Sequence, residues 1–293
     1  MSPQVLAQGL VTGVLLGGVY AMVALGLTLV FGVMRVINVA HGTLLMVGAY
    51  LTFTVVNGLG MNPLASLLVS APVLFLLGAL IQRFLVERVV GAPELQGLLV
   101  TFGVSIILIN FALLVWSPNI RAVTYLSGSY LLRIPELGSV AFSRPRMIAF
   151  LVALAATVAA MLFLRGTRTG KAIRATAQNQ TVAVVCGVDV QRVRLLSFGI
   201  GAALAGIGGS LISLMYAIYP EMGPLYTLKA FCVVVLGGLG SYAGALLGGV
   251  ILGVAESYTG LFVGTQAAEA VAYLLLIAVL LLRPQGLLGE RRQ

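Results

Sequence analysis

Residues 5–33 read VLAQGLVTGVLLGGVYAMVALGLTLVFGV and contain no charged side chain. A helix of about 20 apolar residues crosses the hydrocarbon core of a bilayer, so this stretch is long enough to span a membrane. The whole chain has the same character, because 60% of its 293 residues are hydrophobic and only 9% are charged. Soluble domains carry about 25% charged residues. The composition therefore predicts a membrane protein and excludes a soluble globular domain.

Small residues recur four positions apart in three of the apolar stretches. The rows are Gly9, Gly13, Gly17, Ala21; Ala202, Gly206, Ser210; and Gly240, Gly244, Gly248. Lipid gives membrane helices no hydrophobic reason to associate, and small residues let their backbones approach closely enough for van der Waals contact. We interpret the three rows as helix-packing surfaces and not as an active site.

The remaining apolar stretches predict the membrane topology. Further spans are expected at residues 36–56, 63–81, 95–116, 147–164, 195–219 and 263–282. Residues 228–261 are apolar but contain the break Gly237-Gly238-Leu239-Gly240-Ser241, and the number of crossings requires this stretch to enter the membrane and return. Its first part, residues 228–236, is too short for a full span, which favours a half-helix that borders a cavity. The predicted fold is an all-α polytopic membrane protein with about eight transmembrane segments, one or two of them broken or re-entrant, in a single domain of residues 1–293.

The distribution of basic residues predicts the orientation. Residues 165–194 carry six Lys or Arg side chains against one Asp, and the C-terminal tail carries Arg283, Arg291 and Arg292. Cytoplasmic loops are enriched in Lys and Arg, so we predict that both segments face the cytoplasm. Residues 117–146, with three prolines, then form an extramembrane loop on the opposite side, with room for a short strand or helix. Because the basic residues serve topology, the net charge does not indicate a nucleic-acid partner.

A polar cluster divides the first two apolar stretches. It reads Arg35-Val36-Ile37-Asn38-Val39-Ala40-His41-Gly42 and holds the only histidine of the chain. Polar groups at membrane depth are costly and usually face the bundle interior or a water-filled cavity. A helix that begins here would offer free N–H groups to a carboxylate. Asn38 and His41 either line a substrate pathway or hydrogen-bond the break itself, and the sequence leaves both interpretations open. The candidate pathway residues are Asn38, His41, Gly42, Gly238, Gly240 and Ser241.

The polar segment at residues 165–194 contains a second pattern. Residues 175–184 hold no Pro or Gly and are expected to form a short helix, and Gly187 stands where such a helix would end. A short helix between two membrane spans suits the docking of a partner. The alternative interpretation is an ordinary positively charged loop.

Cofactor and metal motifs are absent from the sequence. Cys186 and Cys232 fall in a polar loop and an apolar run, so a disulfide between them is not expected, and no metal-ligand spacing occurs. No G-x-x-x-x-G-K-[ST] phosphate-binding loop is present. A transporter of this kind that uses ATP therefore relies on another chain to hydrolyse it.

Three motifs resemble those of the branched-chain amino acid ABC-importer permease family. Residues 35–42 with Gly48-Ala49-Tyr50 resemble its V-M-R-x-I-N-x-A-H-G…G-A-Y signature, and residues 228–241 resemble its L-K-A-F…V-L-G-G-x-G-S segment. Residues 170–187 fit the pattern G-x-x-x-R-A-x-x-x-N-x-x-x-A-x-x-x-G of its ATPase-docking loop. The matches occur in order over most of the chain, so together they are specific.

The resemblance implies a non-enzymatic permease subunit of an ATP-driven importer for leucine, isoleucine and valine, in the inner (plasma) membrane of a bacterium. It implies four kinds of partner: a second related permease or a second copy of this chain, two cytoplasmic ATPases that bind ATP and Mg²⁺, an extracytoplasmic substrate-binding protein, and membrane lipid. This chain is expected to bind no cofactor and no metal and to hold no catalytic residue. The implied ATPase-docking residues are Gly170, Lys171, Arg174, Ala175, Asn179, Ala183 and Gly187.

Other functions stay open at the level of sequence. Relatives that move urea or short amides share these motifs. An ion-coupled secondary amino acid transporter is a further alternative, because Glu256 and Glu269 lie in apolar stretches where they could carry protons. Such a carrier has no need of a long cytoplasmic docking loop, which favours the ATP-driven importer. A channel or a structural membrane protein is the third alternative.

Overall fold

The computed structural model describes residues 3–124, 128–134, 138–283 and 285–288. In this part of the chain eleven α-helices form: α1 Pro3–Met34, α2 His41–Leu59, α3 Leu67–Phe84, α4 Glu94–Trp116, α5 Arg144–Gly166, α6 Arg168–Gln178, α7 Gln180–Val185, α8 Val190–Ser213, α9 Met222–Gly237, α10 Tyr242–Phe262 and α11 Thr265–Leu282. A 3₁₀ turn at Val86–Val89 follows α3. Two antiparallel strands, β1 Ser129–Ile134 and β2 Gly138–Ser143, form a hairpin before α5. Pro135, Arg291 and Arg292 lie outside the described residues.

Eight helices are long and apolar enough to cross a membrane. They are α1, α2, α3 with the turn after it, α4, α5, α8, α10 and α11. Helix α9 is shorter, with 16 residues. The all-α polytopic fold of about eight membrane segments is thereby confirmed, and the broken stretch at residues 228–261 is the pair α9 and α10, which reverses direction at Gly238.

Contacts between loops define two ends of the helix bundle. At the hairpin end, the Gln8 side chain near the start of α1 exchanges two hydrogen bonds of 2.8 Å with the backbone of Ala141 in β2. At the polar-loop end, Arg194 in the first turns of α8, which follows the loop of residues 165–189, forms an ion pair of 3.2 Å with Glu87 in the 3₁₀ turn after α3. The polar loop and this connector therefore lie on one side and the described residues of the segment 117–143 on the other, which is the relative arrangement that the charge pattern predicts.

The small-residue rows lie at helix contacts. A Cβ added to Gly13 or Gly17 of α1 would collide with the backbone of α10 near Val254 and Gly249, and a Cβ added to Gly48 of α2 would collide with the backbone of Gly206 in α8. The third row meets α9 of the same chain, because Gly244 faces the backbone of Gly237. The packing interpretation is confirmed for these positions. Gly240 is the exception, since nothing lies within reach of an added Cβ there.

The polar loop holds two helices where the sequence predicted one at residues 175–184, so that prediction was wrong in its boundaries. Helix α6 begins earlier, at Arg168, and the helix breaks at Asn179, whose side-chain oxygen accepts the N–H of Val182 at 3.1 Å and caps α7. Asparagine favours such caps over helix interiors because it competes for backbone groups. The predicted C-terminal stop is confirmed: Gly187 has φ 79, and its N–H and that of Val188 close the helix end.

One further boundary differs from the sequence-based expectation. The half-helix was expected over residues 228–236, but α9 begins earlier, at Met222, and includes Pro224 in its first turn, where a missing N–H costs no helical hydrogen bond. The hairpin in residues 117–146 confirms the predicted short strand in that loop.

Candidate functional site

The break between α1 and α2 lies deep in the bundle. The chain leaves α1 at Arg35, which has the left-handed φ of 53, and becomes helical again at His41. The ring nitrogen Nε2 of His41 is 2.9 Å from the carbonyl oxygen of Val23. Val23 lies about 16 Å from the end of α1 at 1.5 Å per residue. Residues 35–40 therefore run back along α1, and α2 begins at membrane depth.

Two threonines from neighbouring helices form hydrogen bonds with backbone groups of this break. The Oγ1 atom of Thr101 in α4 lies 2.9 Å from the carbonyl oxygen of Ile37 and accepts the N–H of Val39 at 3.2 Å. The Oγ1 atom of Thr227 in α9 lies 2.9 Å from the carbonyl oxygen of Val39 and accepts the N–H of Gly42 at 2.9 Å. Buried backbone groups need such partners. Neither threonine was predicted from the sequence.

Asn38 and His41 each use one polar atom for the break and leave another without a partner. Asn38 is 1% exposed, and its Oδ1 accepts the N–H of Ala40 at 3.1 Å, while His41 is fully buried. Among the described residues, Asn38 Nδ2 and His41 Nδ1 have no hydrogen-bond partner. A buried polar group without a partner costs about 1–3 kcal/mol. The break thus carries a free amide donor and a free ring nitrogen next to the first turn of α2.

Gly42 is fixed by packing. A Cβ at this position would collide with the backbone of Gly223 and Thr227 in α9. The first turns of α2 and α9 therefore touch, so two helix N-termini meet inside the bundle. The positive ends of both helix dipoles make such a junction favourable for negative charge.

The residues of the second break lie elsewhere. Gly238 and Gly240 have φ of 99 and 86, and Ser241 caps α10 by accepting the N–H of Gly244 at 3.0 Å. The backbone N–H groups of Leu287 and Leu288 donate to the carbonyls of residues 236 and 237, so the segment after α11 covers this turn. Gly238 lies about 16 Å along α9 from Thr227. The structure does not bring these three residues together with Asn38, His41 and Gly42.

The polar loop has a buried side and an exposed side. Gly170 and Ala183 face inward, and a Cβ at Gly170 would collide with the backbone of Phe163 and Leu164 in α5. Ala175 is half-buried. The exposed members of the predicted docking set are Lys171, Arg174, Asn179 and Gly187. Gly170 and Ala183 can therefore position a docking surface but do not form its outer face.

Three exposed valines lie on α7 of the same polar loop. Val182, Val184 and Val185 are 55%, 58% and 83% exposed. The sequence analysis missed them, although the run VAVV at residues 182–185 is unusual inside a polar segment. Exposed apolar side chains with a polar rim are typical of protein–protein contact sites. We name Lys171, Arg174, Val182, Val184 and Val185 the loop surface.

A buried ion pair lies between α9 and α10. The Nζ atom of Lys229 is 2.6 Å from Oε1 of Glu256 and donates to the hydroxyl of Tyr20 at 3.0 Å. The ammonium also lies over the rings of Tyr20 and Tyr226, 5.2 and 5.4 Å from their centroids. Lys229 was missed as a site residue, although one charge in the apolar run at residues 228–236 was a usable signal. Glu269, the other acidic residue of the apolar stretches, is exposed on α11.

The described residues contain no group of three His, Cys, Asp or Glu side chains that could hold a metal ion. Cys186 is exposed and Cys232 is buried, and both are free thiols. The break around Asn38 and His41 and the Lys229–Glu256 pair both place polar chemistry inside the bundle.

Comparison with known proteins gives consistent similarities. A family described as "Branched-chain amino acid transport system / permease component" matches residues 9–282. The chain is 35% identical to the high-affinity branched-chain amino acid transport system permease protein LivH of Escherichia coli K12 over 296 residues, which cover 97% of this chain and 95% of LivH. It is also 35% identical to BraD of Pseudomonas aeruginosa, a permease protein of the same description, over 97% of this chain and 95% of BraD.

A more distant similarity connects the chain to a second kind of permease. The LivM permease protein of Salmonella typhimurium, from a transport system of the same description, is 29% identical over 99% of this chain and 72% of LivM. No solved structure matches the chain.

Proposed function

This chain belongs to the branched-chain amino acid transport system permease family, and we propose that it forms one half of the pathway through which an ATP-driven importer carries leucine, isoleucine and valine by alternating access. The observation that carries this proposal is the helix break at Asn38–Gly42. It places two unpartnered polar atoms beside a helix start deep in the bundle. An amino acid that leaves water needs such partners for its carboxylate and ammonium groups.

The two ends of the bundle suggest where the partner proteins would bind. LivH and LivM are both named permease proteins of a high-affinity branched-chain amino acid transport system, which supports pairing of this chain with a second, related permease; a second copy of this chain is the alternative. Two ATPase subunits that bind ATP and Mg²⁺ would dock on the loop surface. A substrate-binding protein would approach the hairpin end from outside the cell. The chain would lie in the inner membrane of a bacterium with its polar-loop end in the cytoplasm.

The polar loop is connected to the break by a short path. Gln180 at the start of α7 donates a hydrogen bond of 2.7 Å to the carbonyl oxygen of Val33 in the last turn of α1. Arg35, where the chain turns, is two residues farther on. A movement of the loop surface, driven by ATP binding to the partner subunits, would therefore displace the end of α1 and the segment that carries Asn38. Packed helices shift between discrete arrangements, and such shifts can expose the break to either side.

The candidate pathway residues take different parts in this proposal. Asn38 and His41 offer polar atoms to the substrate, and Gly42 allows α2 and α9 to touch. Gly238, Gly240 and Ser241 act indirectly, by letting α9 and α10 reverse at the polar-loop end. A site of few contacts suits a transporter, since transport requires release.

Uptake measurements test the proposed function. In a bacterial strain that lacks this chain, we expect uptake of labelled leucine to fall and to return when the chain is supplied, while urea uptake stays unchanged. Purification of the tagged chain is expected to recover an ATPase subunit. A defect in urea uptake without a leucine defect would favour the runner-up function, a permease for urea or short amides. Leucine uptake by the purified chain alone, driven by an ion gradient, would favour the secondary transporter.

A further inference from the structure

The Lys229–Glu256 pair lies well inside the helix bundle. The Lys229 side chain is 5% exposed and that of Glu256 12% exposed. Lys229 lies about 10 Å along α9 from its start at Met222, and Glu256 lies about 9 Å from the end of α10 at Phe262. Helix α10 ends at the hairpin end of the bundle, near the start of α1, whereas α9 begins inside the bundle, against the first turn of α2. The pair therefore lies below the surface that a substrate from outside the cell would reach first.

Stability does not explain this pair. Burying two charges costs solvation energy, and replacing a buried ion pair with apolar side chains of similar volume is often neutral or stabilising. Helix α10 is already held by close backbone contacts with α1, at Gly13 and Gly17, and with α9, at Gly237. Ionisable residues inside membrane segments usually serve function. The buried charges of Lys229 and Glu256 therefore indicate a function other than helix association.

Each partner of the pair keeps bonding capacity. Among the described residues Glu256 Oε2 has no hydrogen-bond partner. An ammonium group has three N–H donors, and the contacts of Lys229 Nζ to the Tyr20 hydroxyl and to Glu256 Oε1 occupy two of them. A free carboxylate oxygen and a free ammonium N–H therefore lie side by side. They are complementary to the ammonium and the carboxylate of an α-amino acid.

From this geometry we propose that Lys229 and Glu256 bind the carboxylate and the ammonium of the zwitterionic amino acid substrate, at a station adjacent to the Asn38–His41 break. This inference rests on the proposed transport of amino acids. When the station is empty, the two side chains neutralise each other. When substrate enters, each charge exchanges one partner of opposite sign for another, so no unpaired charge is buried. Binding at such a station is weak and reversible.

Aromatic side chains border the ion pair. The rings of Tyr20 and Tyr226 flank the ammonium with their centroids 6.5 Å apart. The two rings offer aromatic surface to an aliphatic side chain, and their hydroxyl groups are available to its charged end.

Replacing both charged side chains with neutral ones distinguishes a substrate-binding station from a purely structural ion pair. We would compare wild type, Lys229→Met, Glu256→Gln and the double variant, each assembled with the partner permease, the ATPases and the binding protein in proteoliposomes. The double variant buries no unpaired charge, so it is expected to assemble and to hydrolyse ATP at the basal rate. We expect its kcat/KM for leucine uptake to fall by about tenfold or more, as when charged partners are removed from a buried contact. Tyr258→Phe, on the same helix, removes a hydroxyl that bonds the Leu6 carbonyl and is the control expected to transport normally.

Two results for the double variant would overturn the proposal. Leucine uptake by the double variant within about twofold of wild type would overturn the proposal, because the charges would then be dispensable for substrate. Failure of the double variant to assemble would also overturn it and assign the pair to helix association. Wild-type leucine uptake in the same preparation tests the proposed function separately, so its failure is distinguishable from failure of the station.

Discussion

Gln180 in the polar loop donates a 2.7 Å hydrogen bond to the backbone carbonyl of Val33, in the last turn of α1. The last four carbonyls of a helix have no partner within the helix, so this bond satisfies one of them with a side chain from a segment far away in sequence. It connects the surface proposed for ATPase docking to the helix that leads into the Asn38–His41 break. Arg194 and Glu87 form a second connection, from the start of α8 to the turn after α3.

Gln180→Leu removes the first connection. A hydrogen bond contributes about 0.5–1.5 kcal/mol net, so we expect leucine transported per ATP to fall about two- to tenfold. ATPase subunits should still bind. Gln178→Leu is the matched control, since Gln178 is exposed at the end of α6. Equal coupling in the two variants would show that the Gln180–Val33 contact does not transmit the movement.

Arg174→Glu and Gly187→Trp test the polar loop as the docking element. Reversing an exposed charge is expected to repel an acidic ATPase groove, and Trp at a φ of 79 strains the end of α7. We expect both variants to insert in the membrane but to lose substrate-stimulated ATP hydrolysis. Gly187→Asn is the control, because Asn tolerates the left-handed conformation at a helix end. Normal stimulation in Arg174→Glu and Gly187→Trp would count against docking here.

Gly244→Leu is expected to destabilise the fold of this chain. Gly244 faces the backbone of Gly237 in α9, so the defect should appear in the isolated chain before any partner is added. Overpacking costs about 1–3 kcal/mol, which a lower melting temperature in detergent would reveal. Gly103→Leu on α4 provides the comparison, since an added Cβ there meets nothing within reach. Equal melting temperatures for the two variants would contradict the close α9–α10 contact.

His41 allows its two ring nitrogens to be tested separately. A Gln amide can reproduce the Nε2 contact with the Val23 carbonyl, and an Asn amide can reproduce the free Nδ1 position. If Nδ1 serves the substrate, His41→Gln should assemble normally and transport about tenfold less, as expected for loss of a buried hydrogen bond. His41→Leu should be more severe than His41→Gln. Normal transport in His41→Gln would assign His41 to the helix break alone.

Local features of this fold were predictable from sequence, and pairings across the chain were not. The spans followed from the length of apolar runs, and the end of α7 followed from Gly187. The contacts of Thr101 with Ile37, and of Lys229 with Glu256, join segments distant in sequence, and no spacing rule reveals them. The capping of α7 by Asn179 was missed because asparagine is also tolerated inside a helix. In the sequence, the breaks at residues 35–42 and 237–241 both interrupt apolar stretches. Packing places the first at membrane depth, and residues 287 and 288 cover the second.

The proposal that this chain is the permease half of an ATP-driven amino acid importer is tested most directly by labelled leucine uptake into proteoliposomes. The vesicles would contain this chain, its partner permease, the ATPases and the binding protein, with ATP available to the ATPase subunits. We expect uptake that requires ATP and is unaffected by proton and sodium ionophores. Replacing Asn38 with leucine is expected to lower uptake while basal ATP hydrolysis continues. Uptake that persists without ATP and collapses with the ion gradient would contradict the proposed function.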